Sequence, residues 1–256
     1  MKPTWIQYTD EMKERFGYMA TWYPLVVLKP GDVGILKGRQ FTRVTTLEKL
    51  GIPFEVRNEP FESRDKGRIQ HTSPGAVSIR VKSSGVAPFD GSQLGEADAG
   101  VTIEFHKKSA VLFEAQGCHT TSILDQATLG EAVLAKRNQG QWKTEYVVIT
   151  ELVHANSVAV IISSSDGARF EVRADGNVSP GAHLLADASA RLDIRREHGL
   201  ETKILGARNL TPLFRISGVR DPWFRYPSFQ PRAGQASGSY SEEAFFERLD
   251  YADLEG

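Results

Sequence analysis

Two stretches of this chain hold a β pattern for about twice the length of an ordinary strand, which averages roughly 5–6 residues. Glu145 through Ala155 reads as one long strand. In 184–195, Leu184, Ala186, Ala188, Ala190, Leu192 and Ile194 fall on one side, with Asp187, Ser189, Arg191, Asp193 and Arg195 on the other. Half-buried strands of a large antiparallel sheet alternate in this way. A membrane-crossing strand carries the same signature over about 9–11 residues. Both readings fit the pattern, and the second makes Leu184, Ala186, Ala188, Ala190, Leu192 and Ile194 a candidate membrane-facing strand.

The rest of the pattern predicts an α+β domain with a twisted, mainly antiparallel sheet and peripheral helices. Thr9 is placed to cap a short helix over 10–16, with Met12 and Phe16 on one side. Tyr23-Pro-Leu-Val-Val-Leu reads as a strand, followed by short strands near 33–36, 41–45, 52–57 and 77–82. Residues 58–76 and 83–99 are polar and turn-rich, and read as surface loops. Val101, Ile103 and Phe105 alternate up to the turn His106-Lys-Lys-Ser, and Val111, Phe113 and Ala115 alternate back, the pattern of a hairpin. Ser122 or Asp125 opens a helix to Arg137 with a Leu129, Ala132, Val133, Lys136 stripe. Val158–Ile162, 170–173, Leu200–Leu205 and 212–216 complete the strands.

The sequence offers no catalytic constellation. It contains no phosphate-binding glycine loop, no Cys-x-x-Cys, no His-Glu-x-x-His and no Gly-x-Ser-x-Gly elbow. Cys118 precedes His119, but neighbours in an extended segment point apart, and a base must reach the sulfur. His106 and His119 flank the expected hairpin; two ligands without a third donor make no metal site. No cofactor is expected. Trp5, Trp22, Trp142 and Trp223 are not interleaved with a basic run, so no nucleic acid is expected as a partner. A single cysteine excludes an intrachain disulfide and fits a reducing compartment. The opening residues lack the apolar run of a signal peptide, and no stretch approaches 18 apolar residues. The resting chain is therefore expected in the cytoplasm.

Past Asp221-Pro the composition changes. Residues 1–225 form the expected single domain, 226–240 read as a flexible linker, and 241–256 as an acidic, aromatic tail. Residues 226–256 hold six acidic and two basic residues, leaving 26 of the chain's 32 acidic and 29 of its 31 basic residues to the body. Removing the tail thus turns a slightly acidic protein slightly basic. Ser239 and Glu242 form a capping box for a last helix carrying Phe245, Phe246, Leu249 and Leu254. Exposed aromatics gain roughly 1.5–3 kcal/mol on burial, so these four are expected to dock on the body or on a partner.

A hairpin, a helix, long amphipathic strands and a short detachable tail are together similar to the layout of bacterial gasdermins. The matching segments are Lys107-Lys-Ser-Ala-Val-Leu-Phe-Glu-Ala, the helix from Asp125, Val147-Val-Ile-Thr-Glu-Leu, Phe170-Glu-Val and Thr211-Pro-Leu-Phe, all within 101–217. The resemblance implies a pore-forming effector of cell death and antiviral defence, not an enzyme, kept monomeric by its C-terminal peptide. It further implies an activating protease, with Arg232 as the candidate cut, followed by oligomerisation with other copies on inner-membrane lipid. The lipid-modified cysteine common near the N-terminus of that family has no counterpart here, since Cys118 is the only cysteine. The competing reading is a non-catalytic binding or scaffold module whose tail docks a partner.

Overall fold

The computed structural model describes residues 3–61, 67–174, 185–187, 192–220 and 244–254. In chain order its elements are α1 (Thr4–Phe16), β1 (Met19–Ala20), β2 (Asp32–Lys37), β3 (Gln40–Thr46), β4 (Val56–Pro60), β5 (Ile69–Thr72), β6 (Val77–Lys82), β7 (Ala99–Phe105), β8 (Val111–Gln116), β9 (His119–Ile123), α2 (Gln126–Asn138), β10 (Val147–Ser163), β11 (Ala168–Ala174), β12 (Leu192–His198), β13 (Leu200–Arg220), β14 (Phe245–Leu249) and α3 (Tyr251–Leu254). This is an α+β fold of antiparallel sheet with few helices. The residues gather into two compact units: 1–28, 58–121 and 152–214 form the first, and 29–57, 122–151 and 215–256 the second. The long strands β10 and β13 contribute to both.

In the first unit, Tyr8, Met12 and Phe16 line one side of α1 and pack on Phe113 of β8, with ring centroids of Tyr8 and Phe16 6.4 and 6.3 Å from it. The helix begins five residues before the expected cap, after Pro3, and Thr9 lies inside it with its hydroxyl donating to the Ile6 carbonyl. Glu11 accepts from Ser73 Oγ at 2.7 Å and meets His71 Nε2 at 2.7 Å, pinning the helix to β5 and the residue after it. Beneath the helix, β8 and β10 are covered on both faces. Val111, Phe113, Val158 and Val160 face α1, while Leu112, Ala159 and Ile161 face a second core with Val101, Ile103, Phe105, Phe170 and Val172. That second core belongs to a four-stranded sheet, β12-β11-β7-β6.

Several expectations change here. β7 and β8 are strands as read, but they do not pair as a hairpin. β7 pairs with β6 and β11, and β8 with β5 and β10, so the chain steps from one sheet to the other through 106–110. Alternation reports which face is covered, not which strand lies alongside. The segments 145–155 and 158–162 are one 17-residue strand, β10, whose later part is a buried interior strand. Within 184–195, the described residues Leu185, Ala186 and Asp187 are not in a strand, and β12 begins only at Leu192. Alanine has little β propensity, and at Ala186 the strand period does not produce a strand. Residues 23–28 form no strand, although Leu28 N donates to Thr211 Oγ1. Pro24, the second residue of that run, has no amide to donate to a ladder. The supposed loop 58–76 contains β5, which pairs with β8.

Residues 83–98 lie as a loop held to the four-stranded sheet by buried charge. The Lys82 ammonium, 1% exposed, donates to the carbonyls of Glu96 at 3.0 Å and Asp98 at 2.7 Å. Glu171 of β11, fully buried, accepts from Ser92 Oγ, from Gln93 N at 2.8 Å and from Thr102 Oγ1 at 2.7 Å. Leu94 fills the notch over Gly100, where a Cβ would stand 2.9 Å from Leu94 Cδ1 and 2.3 Å from the Val172 carbonyl.

In the second unit, Val33, Leu47, Ile52, Ile123, Leu129, Val133, Trp142, Val148 and Val219 make the core. Of the two residues expected to open the helix, Asp125 caps α2, accepting from the Thr128 amide at 2.9 Å, while Ser122 lies in β9. β2 and β3 form a hairpin, and β2 also pairs with the start of β10.

Candidate functional site

The C-terminal segment lies on the second unit as a strand. β14 pairs antiparallel with the end of β13 in the register Ile216↔Leu249, Ser217↔Arg248, Gly218↔Glu247, Val219↔Phe246 and Arg220↔Phe245. This corrects the helix expected over Phe245, Phe246 and Leu249: only Tyr251–Leu254 is helical. The capping box at Ser239 and Glu242 lies outside the described residues, as does Arg232. A free strand edge offers a row of unpaired amides and carbonyls, and pairing with it outweighs the modest helix propensity of Phe-Phe-Glu-Arg-Leu.

Side chains set the register. Phe246 packs into the core of the second unit beside α2, where Gly130 leaves room: a Cβ there would stand 3.1 Å from Phe246 Cδ1. Leu249 is buried over Gly218, where a Cβ would meet its Cδ1 at 2.6 Å. Tyr251 is buried, with the Arg39 guanidinium 4.6 Å from its ring centroid. Phe245 and Leu254 are half-buried. Charged groups frame the apolar anchors. Arg220 pairs with Asp253 and, at 3.4 Å, with Glu247. Glu151 accepts from Arg215 at 2.9 Å and meets Arg248 at 3.5 Å. The groove residues Gly130, Gly218, Arg220 and Arg39 carry no signal in sequence that ties them to the tail. Tyr251 and Asp253 were legible only as part of its acidic, aromatic composition.

The other candidates fall elsewhere. Leu184, Ala188 and Ala190 lie outside the described residues. Ala186 is fully buried in the second core of the first unit, Leu192 is half-buried, and Ile194 of β12 is 41% exposed. Cys118 is buried, and burial pushes its thiol up to about 12, the opposite of an activated nucleophile. His106 does not approach His119. It bonds Ser78 Oγ at 2.7 Å, while the His119 ring stacks on His154 with centroids 4.8 Å apart. Among the described residues, no three His, Cys, Asp or Glu side chains converge on a metal position. No described helix is long and apolar enough to cross a membrane.

Neither a family model nor a curated protein matches the chain. Its structure is similar to that of a bacterial gasdermin from Bradyrhizobium tropiciagri. The two share 17% identity at a TM-score of 0.32, over 80% of this chain and 82% of the other.

Proposed function

We propose that this chain is a membrane-permeabilising effector held inactive by its C-terminal segment. The observation that carries the reading is the docked β14: an edge strand, contributed by the chain's end, covering apolar ground on the second unit. Severing the chain within 221–243, with Arg232 as the candidate cut for an activating protease, followed by loss of the fragment, uncovers the β13 edge and the Phe246 and Leu249 seats. An uncovered edge is a template for pairing with another copy. Closure of such edges into a ring is what allows a sheet to cross lipid.

A second feature supports a lipid partner. In the first unit, Tyr23, Leu25, Val26 and Val27 are 42%, 49%, 41% and 46% exposed in one short loop. Behind them Trp22 stacks on Trp5 at 6.4 Å and meets Tyr23 at 5.4 Å. Contiguous exposed apolar residues mark interaction surfaces, and Trp and Tyr suit the boundary between headgroups and acyl chains. Replacing Leu25, Val26 and Val27 together by serine is expected to reduce co-sedimentation of the cut protein with vesicles by roughly tenfold.

The test of the proposal is dye release from anionic liposomes with intact protein and with protein cut by a site-specific protease within 221–243 and freed of its C-terminal fragment. Release only from the cut protein freed of its fragment is the expected result. Intact vesicles with both forms would replace this reading by the binding module, whose groove takes a partner's peptide.

A further inference from the structure

The pairing of β14 with β13 is not a consequence of chain proximity. The strands are separated by 24 residues, 221 through 244, whereas a β-hairpin closes with about 2–5. Their register therefore depends on recognition. Three apolar anchors (Phe246 beside Gly130, Leu249 over Gly218 and Tyr251 under Arg39) occupy places that the body leaves free of its own side chains or caps with a cation. Arg220 reads acid at two tail positions, Glu247 and Asp253, and Glu151 reads the base at Arg248. Main-chain pairing supplies affinity, and anchors at fixed spacing supply specificity. This is the division of labour in strand addition to a sheet edge.

We propose that the second unit holds a peptide-recognition groove, which binds an extended segment with the spacing of Phe246, Leu249, Tyr251 and Asp253 whether or not that segment is tethered. The inference rests on the reading of the tail as a removable cover, and it adds a step. A severed tail stays seated until it is displaced, so cutting alone does not activate. Cutting converts an intramolecular contact into a bimolecular one, and displacement then depends on dilution, salt or a competing strand.

The experiment uses the full chain cut within 221–243 and a fluorescent peptide of residues 244–254. The peptide is expected to exchange into the cut protein with a Kd of about 1–100 μM. Phe246→Ala in the peptide weakens binding at least about tenfold. That variant leaves the body untouched, so loss of binding does not reflect misfolding. Gly130→Leu in the body fills the Phe246 seat with a good helix former and is expected to weaken the native peptide to a similar degree. The surface ion pairs make a smaller contribution, so raising NaCl from about 50 to 500 mM weakens binding roughly threefold. Absence of saturable binding, or equal binding of a scrambled peptide, overturns the proposal. The two readings fail separately. Dye release immediately on cutting, unaffected by added peptide, retains the effector and removes the groove as a separate site. Peptide exchange with no dye release after complete displacement retains the groove and removes the effector.

Discussion

Replacing Glu171 by alanine is expected to destabilise the first unit by about 3–5 kcal/mol, lowering its Tm by roughly 10 °C. Glu171 is fully buried on β11, and its carboxylate is the shared acceptor for Ser92 Oγ, the Gln93 amide and Thr102 Oγ1. Removing it leaves donors without an acceptor and frees the loop 83–98 at its centre, while Lys82 still holds the end near Asp98. Burial pushes the Glu171 carboxyl up. The bonds from Ser92, Gln93 and Thr102, with the Arg169 charge, more than reverse this, and the group stays below its ordinary value. A carboxyl with a lowered folded pKa contributes stability above its unfolded value, and that contribution disappears as pH falls through the folded one. The alanine variant should therefore be destabilised most near neutrality and converge on the parent in acid. Thermal melts from pH 3 to 8 read both effects. Parallel curves for parent and variant would assign the loss to packing alone.

Glu114→Gln is expected to act with the opposite sign. Glu114 sits on β8, 1% exposed, opposite Ala159 of β10 and Gln70 of β5. Only Gln116 approaches one of its oxygens, at 3.4 Å, and the other has no partner among the described residues. Burial raises its carboxyl from 4.5 to about 7, against the weaker pull of Arg68 and Gln116. Below the unfolded value both states are protonated and nothing is lost. As pH rises from 4.5 toward 7 the unfolded chain ionises first, so stability declines by an amount of order 3 kcal/mol and levels off above the folded pKa. The near-isosteric amide removes this titration. Its melting temperature should match the parent near pH 4 and exceed it by several degrees at pH 8. An advantage that is constant across the range would rule out a titrating carboxyl at this position.

These two glutamates also mark where sequence stops informing. Both lie in β strands within alternating segments and look alike as letters. One accepts three hydrogen bonds and the other a single long one, because the difference comes from a loop 78 residues away in the chain in one case and from apolar neighbours across the sheet in the other. Local chemistry was legible wherever it is local. Asp125 caps α2, Leu129 and Val133 face its core, and β2, β3, β6, β7, β8 and β11 lie where period-two patterning places them. Partnering was not legible. The 101–115 segment looks like a hairpin because its two halves alternate across a short turn, yet each half belongs to a different sheet. Ala186, placed on the apolar side of an expected strand, lies in a turn and fills the core instead.

The tail shows both sides of this boundary. Its acidic, aromatic composition raises the expectation of docking through Phe245, Phe246, Leu249 and Leu254; in the structure Phe246 and Leu249 pack on the second unit, and Tyr251, which that expectation did not name, is buried beside them. Its helical spacing misleads because Phe245, Phe246 and Leu249 also serve a strand whose two faces are both partly covered. Helix and strand differ here by what the segment lies against. The free edge of β13, a property of the fold and not of residues 245–249, decides between them. The groove glycines were silent for the same reason. Gly130 in a helix and Gly218 in a strand read as local weaknesses until a neighbour's side chain is placed in the space they leave.

The claim that the tail is a seated, removable edge strand is tested most directly by hydrogen exchange. In the intact protein, amides of 245–249 and those of 216–220 that face them should be protected. After cutting within 221–243 and displacing the fragment, the 216–220 amides facing β14 should exchange roughly tenfold faster or more, while Val111–Gln116 of the first unit remains unchanged. Unaltered protection at 216–220 after the fragment has left would contradict the account.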